Sequence, residues 1–250
     1  MMHSLNLSKS AVYEGNLILV NPHHPLQLQP RAPLSPLCGQ TDMLLQRTAL
    51  VLLDALMDKI GGWGEIVPVS AWRSLREQEA IWEKSMTENG PDFTVQYVAK
   101  PGCSEHQTGL AIDLGLNCEH IDFIRPEFPY TGICGQFRRH AARYGFIERY
   151  PEGKEAITGI AHEPWHFRFV GMPHAQIMTE LEMTLEEYVR FIRNYTPVHP
   201  YHHFTAGRDL GLFYLPAQED MPLQIYNTLT YTISGDNCGG FIVTQWGASI

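Results

Sequence analysis

Two short stretches carry the residues able to do chemistry. Ser104-Glu105-His106-Gln107-Thr108-Gly109-Leu110-Ala111-Ile112-Asp113 sets a histidine and an aspartate seven positions apart. Glu163-Pro164-Trp165-His166 sets a glutamate and a histidine three apart. Imidazole nitrogens and carboxylate oxygens are zinc ligands, and a catalytic zinc keeps three protein ligands with an open fourth position for water. His106, Asp113, Glu163 and His166 therefore supply three ligands and one carboxylate free to deprotonate that water. The expected class is a metallohydrolase with one catalytic Zn²⁺. The letters H-E-x-x-H do occur, at His162-Glu163-Pro164-Trp165-His166, but with a proline inside and running into a stretch read as strand, whereas the thermolysin-type motif needs a helix, so that architecture is not expected.

A strand over 110–116 would position the first half of this set. Period-two alternation puts Leu110, Ile112 and Leu114 on one face, as core, and Ala111, Asp113 and Gly115 on the other. The carboxylate then stands among small neighbours that leave room for an ion and a substrate. A second strand over 165–170 turns Phe167 and Phe169 one way and His166, Arg168 and Val170 the other. Glu163 has the wrong parity to join His166 on a continuous strand, so the site requires a bend at Pro164. Trp165 reads as a wall or core aromatic, and His162 as a structural neighbour.

Around these strands the pattern predicts a helix from Thr41, as N-cap, to Ile60, closed by Gly61-Gly62. It also predicts a strand over 66–72 and a helix from the capping box Ser74-Leu75-Arg76-Glu77 to Asn89-Gly90. Further helices are expected at 134–144, closed by Gly145, and across 173–194 with a break near Thr184. Residues 12–37 read as a proline-rich wrap with one short strand. The mixture without regular βαβ alternation is α+β: a central, mainly antiparallel sheet with flanking helices. After Thr196-Pro197 the chain turns rich in Tyr, Thr, Val, Ile and Gly, with Ser234-Gly235-Asp236-Asn237 as a turn. The expected organisation is a catalytic domain over 1–197 and a small C-terminal β appendage over 198–250.

Bulk properties fit a globular enzyme. The 250 residues are 44% hydrophobic and 18% charged, enough for a sizeable core. A formal net charge of −9 without a Lys/Arg cluster argues against a nucleic-acid surface. Apolar runs such as Leu17-Ile18-Leu19-Val20 are too short for a membrane span or a signal segment, which gives a cytoplasmic location as the expectation. Cys38, Cys103, Cys118, Cys134 and Cys238 are scattered, odd in number and without a C-x-x-C pair, so no disulfide framework is expected.

Ser104-x-His106-x-x-Gly109-x-Ala111-x-Asp113 followed by Glu163-x-x-His166 resembles the zinc D,D-peptidases of the VanX/VanY type. Val98-Ala99-Lys100-Pro101-Gly102 leading into the motif fits, as does Ser70-Ala71-Trp72-Arg73-Ser74, where Trp72 stands in place of the usual tyrosine. With no export signal visible, the sequence looks most like the cytosolic VanXY-type D,D-dipeptidase/D,D-carboxypeptidases, which remove D-Ala from cell-wall precursors and confer vancomycin resistance. The resemblance implies that His106, Asp113 and His166 hold zinc and that Glu163 is the base and later the acid. It further implies that Arg73 stabilises the oxyanion and that Ser104 binds the substrate carboxylate, with Gln78 and Tyr97 as substrate contacts. The implied substrate is a small peptide ending in D-Ala-D-Ala. A homodimer stays open, and selectivity is expected from 84–97 and 148–160, where Glu148, Glu152 and Glu155 sit. Two other readings keep the metal: an L,D-peptidase or wall endopeptidase, and a zinc-stabilised binding module without turnover, its fourth position closed by a residue such as His162. Retention of Glu163 and Arg73 speaks against the module, because structural zinc needs neither.

Overall fold

The computed structural model describes residues 2–29, 31–37, 39–218, 221–226 and 230–249. Along the chain run β1 (Met2–Leu7), β2 (Leu34–Leu37), β3 (Gln40–Gln46), α1 (Arg47–Ile60), β4 (Ile66–Ser70), α2 (Leu75–Glu88) and α3 (Pro91–Tyr97). A 3-10 turn over Glu105–Thr108 leads to β5 (Ala111–Leu116), α4 (Gly132–Ala141), β6 (Phe146–Tyr150), α5 (Glu155–Thr158), β7 (Glu163–Phe169) and α6 (His174–Glu180). The chain closes with α7 (Leu185–Ile192), β8 (Tyr201–Thr205), β9 (Arg208–Pro216), β10 (Met221–Tyr226), β11 (Thr230–Gly235) and β12 (Gly240–Ser249). The fold is α+β with antiparallel sheets, as expected.

The chain divides into two compact units, one of Val20–Thr184 and one of Met1–Leu19 with Leu185–Ile250. The larger unit is built on a four-stranded antiparallel sheet in the order β4-β5-β7-β6. One face of that sheet is core: Leu110, Ile112, Leu114, Phe146, Phe167 and Phe169 pack with Leu53 and Leu56 of α1 and Phe137 of α4. The alternation read from 110–116 and 165–170 thus sorts these side chains as expected, leaving Asp113 and His166 for the opposite face.

The helix expected from Thr41 begins later. Residues 40–46 are strand β3, paired with β2, and α1 starts at Arg47 behind Gln46 as N-cap. Long-range bonds decide this: Gln46 N–H donates to Gly109 O at 2.8 Å, and Trp72 N–H donates to Leu44 O at 2.8 Å. Leu44 and Leu45 satisfy a helical period, yet they serve a ladder that local spacing cannot reveal. The Ser74 capping box forms in full, with Ser74 Oγ accepting from Glu77 N–H and Glu77 Oε2 accepting from Ser74 N–H. It fixes the chain immediately after Arg73. Helix α3 and strand β6 were not expected.

The smaller unit takes the four-stranded antiparallel order β11-β12-β9-β8, and β1 pairs antiparallel with β10. Its limits differ from a cut at 197, because an N-terminal segment joins it. Gly235 N–H donates to Glu14 O, Asn237 N–H to Val12 O, and Leu19 N–H to Asp236 O. A side chain at position 235 would land on the Val12 carbonyl, so the close approach requires glycine. The expected turn lies between β11 and β12, where Asp236 Oδ1 accepts from the N–H groups of Cys238, Gly239 and Gly240 at 2.7, 2.8 and 2.9 Å. Residues 219–220, 227–229 and 250 of the expected appendage, and Cys38, lie outside the described residues. Cys103, Cys118, Cys134 and Cys238 are free. Among the described residues, no helix is long and apolar enough to cross a membrane.

Candidate active site

His106, Asp113 and His166 converge on the open face of the larger unit's sheet, with one ligand atom from each within 4.8 Å of the others. Asp113 and His166 are directly opposed cross-strand partners of β5 and β7, so strand pairing sets them side by side. His106 comes from the 3-10 turn before β5. Thr108 Oγ1 donates to Glu105 O at 2.6 Å and accepts from Leu110 N–H at 3.0 Å, and Gly109 closes the turn at a φ of +70°.

The ring nitrogens are individually oriented. His106 Nδ1 lies 2.6 Å from the Ala71 carbonyl, so it carries the proton and donates, and Nε2 is left with a lone pair. That Nε2 faces Asp113 Oδ2 at 3.1 Å, while His166 Nδ1 faces Asp113 Oδ1 at 2.9 Å. Burial and the Arg73 charge push His106 below its ordinary value, which keeps it neutral. Burial would raise Asp113, but its hydrogen bonds and charged neighbours outweigh it and hold the carboxyl well below the usual range. A neutral imidazole lone pair set against a carboxylate is acceptor against acceptor, and a cation between them resolves it. The donor set therefore fits a divalent metal, with the two-histidine, one-carboxylate composition of a catalytic centre.

Glu163 is 7% exposed, and its Oε2 lies 3.8 Å from His166 Nδ1. Desolvation pushes its carboxyl up to about 8 against the pull of His166. Burial tends to lower His166, but hydrogen bonding and charge from the surrounding carboxylates, Asp113 foremost, hold it up at about 9. The parity objection to Glu163 is removed by a register shift. Phe167 pairs with Glu148, yet Glu163 pairs with Tyr150, so β7 uses four positions where β6 uses two. Regular alternation is broken around Pro164, and Glu163 lies on the His166 side, as its contact with that ring shows.

Arg73 donates from Nη2 to Asp113 Oδ2 at 3.0 Å, from Nε to Ser70 Oγ at 2.8 Å and from Nη1 to Gln78 Oε1 at 3.3 Å. A cavity of about 360 Å³ opens over these groups, and Arg73, Tyr97, Ser104, His106, Asp113, Glu163, Trp165 and His166 line it. Gln78 is fully buried and lies outside that lining; its Nε2 donates to Ala99 O at 2.8 Å while its Oε1 holds Arg73. Trp165 serves both as cavity wall and as core. His162 stands apart from the ligand cluster, with Nε2 2.8 Å from Tyr130 Oη and 3.4 Å from Glu148 Oε1. Of the two segments expected to set selectivity, 84–97 contributes Lys84, Ser85, Glu88 and Asn89 besides Tyr97, and 148–160 contributes Tyr150 and Ile160, whereas Glu148, Glu152 and Glu155 are not in the lining.

Several residues at the site escaped the sequence reading. Phe123 and Ile124 line the cavity, and Tyr150 both lines it and packs its ring 5.0 Å from that of His166. Glu105, Arg149 and Arg168 form a fully buried charge cluster, in which the guanidinium groups drive the carboxyl far below its usual value despite burial. The signal for Glu105 was its place beside His106; for Arg168 it was a cation sharing the parity of His166.

Comparisons with known proteins show what the chain is similar to. The VanY family model, described as D-alanyl-D-alanine carboxypeptidase, matches residues 44–172. The bifunctional D-Ala-D-Ala dipeptidase and D-Ala-D-Ala carboxypeptidase VanXYC of Enterococcus gallinarum is 46% identical over 178 residues, covering 70% of this chain and 93% of that one. The crystal structure of the vancomycin resistance D,D-dipeptidase VanXYg, in complex with a D-Ala-D-Ala phosphinate analogue, matches with a TM-score of 0.96 at 48% identity. That match covers 98% of this chain and 99% of the other. A variant of the D,D-pentapeptidase VanY from the VanB-type resistance cassette, in complex with Zn(II), matches with a TM-score of 0.58 at 29% identity over 70% of this chain and 98% of the other. The chain belongs to the VanY family of D-alanyl-D-alanine carboxypeptidases.

Proposed function

We propose that this chain is a zinc-dependent D,D-peptidase that splits D-Ala-D-Ala and removes the terminal D-Ala from cell-wall precursor peptides, and so confers vancomycin resistance. The observation that carries the reading is the convergence of His106, Asp113 and His166 beside a buried Glu163 and the Arg73 guanidinium, in one cavity. The names of the relatives support the substrate class. The reading makes 20–184 the catalytic unit and places the enzyme in the cytoplasm, as the resemblance to the cytosolic type implies.

Bound at the three ligands, zinc supplies Lewis acidity that activates water and polarises the scissile carbonyl. The chain's own residues do the rest. Glu163 accepts the proton of the attacking water at its carboxylate and passes it to the leaving nitrogen as the peptide C–N bond breaks, so acid and base are one group. Its desolvated setting favours the protonated form it needs for the second step, and positive charge at the ligands favours the ionised form it needs for the first. Arg73 offers a permanently charged donor to the developing oxyanion, and Gln78 holds that donor in place. Ser104 and Tyr97 line the cavity, where the hydroxyl of Ser104 receives the substrate carboxylate and Tyr97 forms a wall.

The test is release of free D-Ala from D-Ala-D-Ala and, separately, from a muramyl-pentapeptide mimic. Zinc-loaded protein should turn over at least one of them, chelation should abolish turnover, and zinc should restore it. Glu163→Gln with full zinc content should lose about 10²- to 10⁴-fold, the usual worth of a general acid–base. Zinc-replete protein without turnover of either peptide would overturn the reading.

A further inference from the structure

We propose that Glu105 is a positioning residue that orients His166 toward the metal, an inference that rests on the metal-centre reading above. The side chain of Glu105 is 0% exposed, and its two oxygens do different things. Oε1 accepts from Arg149 Nε at 2.8 Å and pairs with Arg168 Nη1 at 2.8 Å. Oε2 is buried without a hydrogen bond and faces His166 Nε2 across 3.6 Å. That nitrogen is likewise buried without a hydrogen bond.

The chemistry of a liganding imidazole connects these facts. A neutral ring carries one proton, and the nitrogen that gives its lone pair to a cation cannot hold it. His166 Nδ1 is the nitrogen turned to Asp113 and Glu163, so the proton belongs on Nε2. Nε2–H then meets the one Glu105 oxygen that lacks a donor. A carboxylate acceptor fixes the tautomer and makes the ligand more basic, an effect worth 10- to 100-fold in metal affinity in other sites. His106 is held by a different device, the Ala71 carbonyl on Nδ1.

The arginines give the arrangement its direction. A lone carboxylate at this depth would be costly, and one paired symmetrically would spend both oxygens on its partner. Here Arg149 of β6 and Arg168 of β7 both engage Oε1, and Oε2 is left for the ring. Glutamine cannot copy this. Its single carbonyl oxygen is drawn to the guanidinium groups, which leaves an NH₂ donor against the Nε2–H donor.

Zinc affinity by chelator competition, on wild type, Glu105→Gln and His166→Ala, tests the inference beside ¹⁵N-histidine NMR of the zinc-loaded wild type. Glu105→Gln should bind zinc 10- to 100-fold more weakly with an unchanged circular dichroism spectrum. The wild-type His166 ring should be protonated at Nε2, with a strongly downfield proton that moves upfield in the variant. Affinity of the folded variant within twofold of wild type would overturn the inference. So would a His166 ring unprotonated at Nε2, a result that decides the matter even if the variant does not fold. Zinc binding that responds to His166→Ala but not to Glu105→Gln sinks this inference alone. A wild type that takes up no zinc, or a His166→Ala protein that binds it as tightly, sinks the metal-centre reading and this inference with it.

Discussion

Glu163 has two energetic lives, one in the metal-free protein and one in catalysis, and the first is separately measurable. Desolvation lifts its carboxyl from 4.5 to about 8. A raised carboxyl contributes stability that is fully present below about 4.5 and is lost as pH rises through about 8, because the unfolded chain gives up its proton first. His166 works in the same direction: held up at about 9 from 6.5, it stabilises the metal-free fold below 6.5 and ceases to as pH passes 9. Metal-free wild type should therefore lose melting temperature steeply across this interval. Glu163→Gln, which cannot ionise, should melt with wild type near pH 4 and above it by about 5 °C or more near pH 9, since each pKa unit is about 1.4 kcal/mol. Parallel melting curves for the two proteins would show that Glu163 is not held protonated by burial. Arg73 adds a second point at this scale. Its three acceptors, Asp113, Ser70 and Gln78, come from three different elements, so it is aimed before substrate arrives.

Elements place these groups through pairing, and pairing is what a single sequence hides. The alternation of β5 was legible because one face is uniformly apolar and the other carries a single carboxylate among small residues. That Asp113 would stand opposite His166 was not, since period two says nothing about register. The bend demanded at Pro164 exists as a register shift, and its brace lies on α4. Arg138 pairs with Glu148 and donates from Nη2 to Phe128 O at 2.7 Å and to Pro164 O at 2.5 Å, with its guanidinium 4.0 Å from the Tyr130 ring centroid. Replacing it with methionine keeps bulk and removes the grip on the shifted strand. Arg138→Met should cost about tenfold or more in kcat with zinc content unchanged, because an ångström of misplacement is enough to spoil proton transfer. Unchanged kcat would mean that the backbone holds the bend unaided. Strand β6 was missed for a related reason: Glu148 and Arg149 look like surface charges, yet Arg149 is fully buried against Glu105. Residues 40–46 were misread because two leucines fit a helix as well as a ladder.

At the scale of the molecule, the proposed centre is confined to one of two units. His106, Asp113, His166, Glu163 and Arg73 all fall within Val20–Thr184, and the other unit is closed by its own bonds between the segments around Val12 and Asp236. Arg193 Nη2 donates to Asp236 Oδ2 at 2.8 Å, and Tyr214 Oη donates to the same oxygen at 3.1 Å, which ties α7's downstream segment to the β11–β12 turn. Among the described residues each unit has an apolar cluster of its own, with Leu53, Ile112 and Phe167 in one and Phe213 and Val243 in the other. Calorimetry of the metal-free protein should resolve two transitions. Zinc should raise only the one belonging to the unit that holds the ligands, by the free energy of binding to the folded state alone, about 4 kcal/mol at a thousandfold excess over Kd. Because the ligands join β5, β7 and the turn before β5, the shifted transition should also be the one that Glu163→Gln moves in the absence of metal. A single transition that shifts as a whole with zinc would show instead that the two units unfold as one, and that metal binding is felt by residues far outside the sheet that bears it.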